Sequence, residues 1–192
     1  MFKNKKGNYQ YLKKEPIRVG IITILLFLLA AGVWYIGYVM TKDIKNILTV
    51  VSMLGMLPAC RSLVNMIMLF KAEKHSCKPE DFLEIEKAIG DHEIIHGYDL
   101  YLTSEKKFFP INALFVDDNN LYCYVPDKNV SKEDLKKHIE LYMNKNGIKD
   151  ADIKLIDTLD KYVARVKKCS DDGCKSTDMA YSIYNLMLNL SL

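Results

Sequence analysis

The segment His92-Glu-Ile-Ile-His96 matches the HExxH pattern, the one catalytic motif that this sequence contains literally. On an α-helix, histidines at positions i and i+4 share one face and can bind Zn²⁺, while Glu93 acts as general base on the bound water. A third ligand could come from a later segment, from His138, Glu133 or Glu140. The motif predicts, as one alternative, a zinc metalloprotease.

The surroundings of this motif favour a different conformation. Gly90 and Gly97 bracket it and favour breaking a helix there. The residues that follow have the composition and spacing of a β-strand, in which positions i and i+4 do not converge on one tetrahedral ion. We therefore expect the two histidines to lie where a strand begins, with no cofactor, and the conformation of residues 90–98 decides between the two interpretations.

The cysteines do not form the disulfide framework of a secreted protein, because they are five in number and Cys60 falls in an apolar stretch. Cys169 and Cys174 are separated by Ser-Asp-Asp-Gly. A metal held there would need two further ligands, so we expect reduced thiols that flank a turn. The sequence contains no glycine-rich phosphate loop, nucleophile elbow or dinucleotide fingerprint.

The C-terminal part of the chain has the patterns of an α/β domain. Residues 79–90 begin with proline and acids and end in glycine, as a helix does. Three β-prone runs follow at residues 94–103, 111–116 and 121–125, and Asp117-Asp-Asn-Asn120 has the composition of a hairpin turn. These runs predict an antiparallel meander.

Four further elements complete the predicted domain. Ser131 opens a helix that Gly147 closes, and residues 153–156 form another strand. Residues 159–168 form a helix rich in Lys and Arg, and a C-terminal helix with an apolar stripe follows. The predicted order of the α/β domain is α-β-β-β-α-β-α-α.

This order resembles the common core of the PD-(D/E)xK nuclease superfamily, in its nuclease-related NERD type, over residues 80–157. Residues 111–126 have the hydrophobic rhythm of the hairpin that carries the Asp and the Glu-x-Lys of that family. Asn112 stands where the metal-binding Asp would fall, and Val125 where the Glu would. Carboxylates hold Mg²⁺ in such enzymes, and a neutral amide and an aliphatic group cannot replace them. The resemblance therefore implies the fold, and a membrane-tethered nuclease is a further alternative.

Two apolar stretches precede this domain. Residues 19–40 carry no charge and span about 33 Å as a helix, and residues 47–70 follow after a short polar turn. They predict a hairpin of two transmembrane helices in a multi-pass protein of the cell membrane. Lys and Arg concentrate at its two outer ends, which places both termini in the cytoplasm. The predicted organisation is a basic segment 1–18, a hairpin 19–70, a linker 71–78 and a cytoplasmic domain 79–192.

Three residues of the second span are candidates for function. Arg61 is an ionisable side chain within the span, close enough to the cytoplasmic face for its guanidinium to reach the headgroups. Gly55 and Ala59 form a small-xxx-small pair that lets another helix approach closely. That helix is either the other half of the hairpin or a second copy of the chain.

The charge of the chain is divided between these two parts. Residues 1–78 carry twelve Lys and Arg against three acids, whereas residues 79–192 carry fifteen against twenty-one. The basic part adjoins the lipid bilayer, and the acidic domain disfavours nucleic acid. We therefore expect a non-catalytic interaction or regulatory domain that self-associates through its membrane helices and binds a protein partner. The expected partner interface is the apolar stripe of the C-terminal helix, Ile183, Leu186, Met187 and Leu190.

Overall fold

The computed structural model describes residues 6–104, 107–149 and 151–192. The described chain forms two compact units. One is a helical hairpin of Leu12–Glu73, and the other is a domain of Lys74–Leu192 together with the described residues up to Tyr11. Within this second unit, the Gly7 carbonyl accepts a hydrogen bond from the Tyr98 amide at 2.8 Å, and the Tyr9 ring stacks on the Phe82 ring.

The hairpin consists of helices α1 (Tyr11–Thr41) and α2 (Ile47–Glu73). Each is long and apolar enough to cross a membrane, and little of its most apolar window is buried. Both helices extend beyond the predicted spans because the charged residues at their ends are good helix formers. A charge-free run marks the apolar part of a helix, whereas the helix itself continues past it.

Small side chains bring the two helices together. Ser52 Oγ donates to the Ala30 carbonyl at 2.7 Å, and the Thr23 and Ser62 hydroxyls lie 2.7 Å apart. Ala59 is fully buried. A Cβ added to Gly55 would meet nothing within 4 Å, so the two members of the predicted small-residue pair lie in different surroundings. Arg61 is exposed on α2.

The C-terminal domain begins with α3 (Pro79–Ile89) and contains a four-stranded mixed sheet in the order β1-β2-β3-β4. Strands β1 (Ile95–Thr103), β2 (Phe108–Asp117) and β3 (Asn120–Tyr124) form the expected antiparallel meander. Asp117 pairs with Asn120 across the hairpin turn, and Asp118 in that turn has a positive φ of 52°. An Asp tolerates this left-handed conformation better than most residues, as the turn composition predicts.

The fourth strand, β4 (Asp152–Ile156), is reached through α4 (Lys132–Lys145) and pairs in parallel with β3. Parallel pairing requires such a crossover, because a tight turn can join only antiparallel strands. The Ser131 hydroxyl caps α4 by accepting from the Asp134 amide. Since β4 ends the sheet order, one of its sides has no neighbouring strand among the described residues.

Helices cover both faces of the sheet. Helix α4 and the C-terminal helix α6 (Asp178–Leu190) pack on one face, while α3 and α5 (Leu159–Asp172) pack on the other. The observed element order is the one that the sequence predicts.

The apolar stripe of α6 faces the core, and this corrects the expectation of a partner interface there. Ile183 and Met187 are fully buried, Leu186 is 9% exposed, and Leu190 packs against the same cluster while partly buried. The sheet needs a cover on this face, and α6 supplies it together with α4. The stripe is therefore not available to a partner in the folded domain.

Candidate functional site: a cationic groove at the sheet edge

The HExxH segment does not form the helix that zinc binding by this motif requires. Helix α3 ends at Ile89, and His92 and Glu93 lie exposed in the bend that follows it. His96 lies in strand β1. Gly90 adopts a positive φ of 59° where the chain leaves α3, so the glycine ends the helix as its type suggests. The bend and the strand do not give the two imidazoles the shared helical face that the motif needs.

His96 makes structural contacts instead. Its Nδ1 lies 2.8 Å from the Ile94 carbonyl oxygen, and its Nε2 lies 3.6 Å from a carboxylate oxygen of Glu86 on α3. Tyr98 donates from its hydroxyl to the same Glu86 oxygen at 2.7 Å. Burial, and then this hydrogen bond, raise the pKa of Tyr98 well above its ordinary value. The residues thus join strand β1 to α3.

The predicted third ligands lie on α4, on the opposite face of the sheet from α3. His138 packs against Phe109 and Tyr142, and burial lowers its pKa. Glu133 is exposed in the first turn of α4, and Glu140 Oε1 lies 3.9 Å from Lys136 Nζ. Among the described residues, the one group of three or more metal-ligating side chains contains none of these residues.

The two positions that the nuclease resemblance singled out are buried. Asn112 is 7% exposed on β2, and Val125 is 1% exposed just after β3. The Val125 amide donates to the Ile156 carbonyl at 2.8 Å, which continues the pairing of β3 with β4. An amide and an isopropyl group at these positions supply no carboxylate ligand.

A groove of about 660 Å³ lies between β4 and α5 on the α3–α5 face of the sheet. We call it the α5 groove. The sequence folds this way because the apolar face of α5 is buried on the sheet, with Tyr162 and Val166 almost inaccessible. The opposite side of the same helix then stands beside the open edge strand. Its lining is Tyr122, Lys154, Leu155, Ile156, Asp157, Lys161, Ala164, Arg165 and Lys168.

Four cations line the α5 groove. Lys161, Arg165 and Lys168 follow one another at i, i+4 and i+7 and so share one face of α5. Lys154 extends from β4, where it pairs with Tyr122 of β3. Its Nζ lies 5.0 Å from the centre of the Tyr122 ring and 3.2 Å from a carboxylate oxygen of Asp152.

The counter-charges at the α5 groove are few. Asp157, the acid in the lining, accepts a hydrogen bond from Lys132 of α4 at 2.8 Å, and this contact holds the pKa of Asp157 below its ordinary value. Within the described part of the chain, no carboxylate oxygen lies within 4 Å of Lys161, Arg165 or Lys168. The groove is therefore positive within a domain whose acids outnumber its bases.

The aromatic wall of the groove is a buried, stacked tyrosine. Tyr122 is 7% exposed, and its ring stacks on that of Phe115 with a centroid distance of 4.5 Å and an interplanar angle of 3°. Phe115 in turn meets Tyr162 of α5 edge-on. The Tyr122 ring, against which Lys154 rests, is thus packed through Phe115 onto helix α5.

Comparison with known protein families, with curated proteins and with solved structures finds no significant match for this chain. The assignment of function must therefore come from the geometry of the chain itself.

The sequence contained part of the signal for this groove. The expected basic helix is α5, and the spacing of Lys161, Arg165 and Lys168 places them together. Lys154 could not be added from the pattern, because its position beside α5 depends on the parallel pairing of β4 with β3.

The two cysteines at the end of α5 correct a second expectation. Cys169 and Cys174 form a disulfide, with a Cα–Cα distance of 5.1 Å, where the sequence suggested two reduced thiols. Cys60 is exposed, whereas Cys77 and Cys123 are buried. The short turn between Cys169 and Cys174 brings their side chains together.

Proposed function

We propose that this protein is a membrane-anchored, non-catalytic binding domain that takes a phosphate-bearing ligand in the α5 groove. The observation that carries the proposal is the convergence of three cations of α5, without a carboxylate within 4 Å in the described chain, beside a fixed tyrosine. Guanidinium and ammonium groups arranged in this way complement phosphate oxygens, and Arg165 can contact two of them at once.

The lipid bilayer is the proposed partner of the hairpin. Large apolar side chains are exposed along both helices, including Leu28 and Leu29 on α1 and Leu54 and Leu57 on α2. Such a surface is unfavourable in water and favourable in hydrocarbon. The excess of Lys and Arg outside the two spans favours a cytoplasmic position for both termini and for the domain. Arg61 would then lie near the cytoplasmic headgroups.

The proposed ligand is small, either a free phosphate compound or the headgroup of an anionic lipid. Residues 79–192 carry fifteen Lys and Arg against twenty-one acids, so a long polyanion such as a nucleic acid meets repulsion outside the groove. The groove volume of about 660 Å³ lies within the range of small-molecule sites.

Binding without chemistry is favoured by the lining of the α5 groove. Its described residues contain cations, apolar groups, one tyrosine and one acid that is paired with Lys132, but no cysteine, serine or histidine. The serine or cysteine nucleophile with a histidine base that many enzymes use for covalent catalysis is therefore not among these lining residues. We retain self-association of the hairpin as part of the proposal, with Gly55 as the candidate contact because its surroundings are open.

The test uses the full chain in nanodiscs of phosphatidylcholine, titrated with inorganic pyrophosphate in a calorimeter. The double variant Lys161→Gln and Arg165→Gln should bind about a hundredfold more weakly, because each lost charge-assisted hydrogen bond is worth about 1.5 kcal/mol. The control is Lys167→Gln, an exposed lysine of α5 outside the groove lining, which should leave the affinity within about twofold.

A second arm distinguishes a lipid headgroup from a free ligand. Hydrogen exchange of α5 is compared in nanodiscs with and without phosphatidic acid, using the same variants. Protection that needs the anionic lipid and disappears in the double variant assigns the headgroup as ligand. If neither pyrophosphate nor phosphatidic acid binds, or if the double variant binds as the native chain does, the proposal is wrong.

A further inference from the structure

A cluster of three metal-ligating side chains lies at the end of α5, apart from the lining of the α5 groove. The cluster consists of Asp117, at the end of β2, with Cys169 and Cys174, and one ligand atom from each lies within 4.8 Å of the others. Cys169 is in the last turn of α5, and Cys174 follows two residues after the helix ends. Gly173, with a φ of 81°, lets the chain reverse between them.

The segment that carries Cys174 is held against the β2–β3 hairpin. The Lys175 amide donates to Asp117 Oδ1 at 3.1 Å, and the Asp118 amide donates to the Lys175 carbonyl at 3.0 Å. The Thr177 hydroxyl lies within hydrogen-bonding distance of Asp118, at 3.1 Å. None of these bonds involves a sulfur, and of the two oxygens of Asp117 they use one, so the position of the cluster does not depend on the disulfide alone.

We propose that the reduced form of this cluster binds one Zn²⁺ through the sulfurs of Cys169 and Cys174 and a carboxylate oxygen of Asp117. Two thiolates, one carboxylate and a water in the fourth position are a ligand set that tetrahedral zinc accepts. The four residues between the cysteines fall within the spacing of known zinc-binding cysteine pairs.

The disulfide is the oxidised form of the same pair. A dithiol reductant opens it by thiol–disulfide exchange and becomes a disulfide itself, while Cys169 and Cys174 take up two electrons and two protons. Both protons leave when the thiolates bind the ion. The reducing environment rests on the cytoplasmic position given under the proposed function, whereas the ligand geometry does not.

A cavity of about 90 Å³ adjoins the cluster. Two of the three ligands, Asp117 and Cys169, line it together with Asp172 and Gly173. Its remaining lining includes three residues of the α5 groove, Tyr122, Arg165 and Lys168. Cys169 is 8% exposed, and Cys174 and Asp117 are half-buried, so two of the three ligands are within reach of an ion from solvent. This arrangement differs from that of Cys77 and Cys123, which are both fully buried.

The experiment measures metal binding by the full chain in detergent micelles after reduction with a phosphine. We expect one Zn²⁺ per chain by elemental analysis, and thiolate-to-metal charge-transfer absorption when Co²⁺ replaces zinc. Cys169→Ser should abolish the absorption. Asp117→Asn, which keeps an oxygen for the Lys175 amide, should weaken zinc binding by more than about tenfold, the loss that even outer-shell partners produce.

Two controls separate the outcomes. Cys60→Ser removes an exposed thiol outside the domain and should leave one Zn²⁺ bound. His96→Ala tests the HExxH histidines and should also leave it bound. A reduced chain without zinc, or zinc that survives Cys169→Ser, would overturn the proposal. Because the assay needs neither a membrane orientation nor a groove ligand, such a failure would leave the α5 groove proposal to its own titration.

Discussion

Helices α5 and α6 are both amphipathic, yet their distinctive residues lie in opposite surroundings. The apolar stripe of α6 is buried against the sheet, and the apolar residues of α5 are buried on the other face. The cationic side of α5 remains beside an open groove, and in the described domain no carboxylate oxygen lies within 4 Å of its three cations, Lys161, Arg165 and Lys168. An apolar stripe in a small α/β domain is therefore first a covering for the sheet, whereas an excess of one charge on an exposed face calls for a functional reason.

The contrast between α5 and α6 requires that the buried apolar side chains of α6 stabilise the domain. Ile183→Asp places a charge where the native side chain is fully buried, and it should lower the free energy of unfolding by more than about 4 kcal/mol. The measurement is hydrogen exchange of peptides from β1 and β2 in the full chain. Tyr181→Asp on the exposed side of α6 is the control, with an expected change within about 0.5 kcal/mol. Equal hydrogen exchange in the two variants would mean that the apolar stripe of α6 does not hold the domain together and could bind a partner.

A smaller effect is expected where α6 ends on the sheet. Ser191 Oγ accepts from the Tyr101 amide at 3.0 Å, a buried contact. Ser191→Ala leaves this amide without its acceptor and should lower the free energy of unfolding by about 1–3 kcal/mol. Amide exchange at Tyr101 should accelerate accordingly. Ser182→Ala, which removes an exposed hydroxyl bonded within α6, should change stability by only a few tenths of a kcal/mol, and similar effects of the two variants would contradict this assignment.

Local chemistry explains how far the sequence predicted the fold. Pro79 and Gly90 bound α3, and Asp118 adopts the left-handed conformation that its hairpin turn needs. These signals act within a few residues, so the order of elements could be predicted from them. The stripe of Ile183 and Leu186 has the same appearance on an interface helix as on a core helix. Its burial depends on the sheet face that α4 leaves for it to cover.

The candidate sites depended on longer-range pairing. The positions of Lys161 and Arg165 on one face followed from helical spacing, but their meeting with Lys154 follows from the β3–β4 register. Likewise, Asp117 lies 52 residues before Cys169, and no local pattern joins them. His92 and His96 match a motif in the sequence but do not form its site. The match of residue types did not show whether the segment was helical, and it is a bend followed by a strand.

The smallest predicted effect concerns the stability of α5 itself. Arg165 lies four residues after Lys161 and three before Lys168, and like charges at such spacings destabilise a helix by about 0.2–0.5 kcal/mol per pair. Replacing all three by Gln should therefore stabilise the domain by several tenths of a kcal/mol at low salt, while it removes ligand binding. The gain should vanish at high salt, where the repulsion is screened. Hydrogen exchange of α5 at two salt concentrations measures it. A loss of stability at low salt would mean that the cations serve the fold, whereas a gain means that the groove keeps them at the expense of the helix.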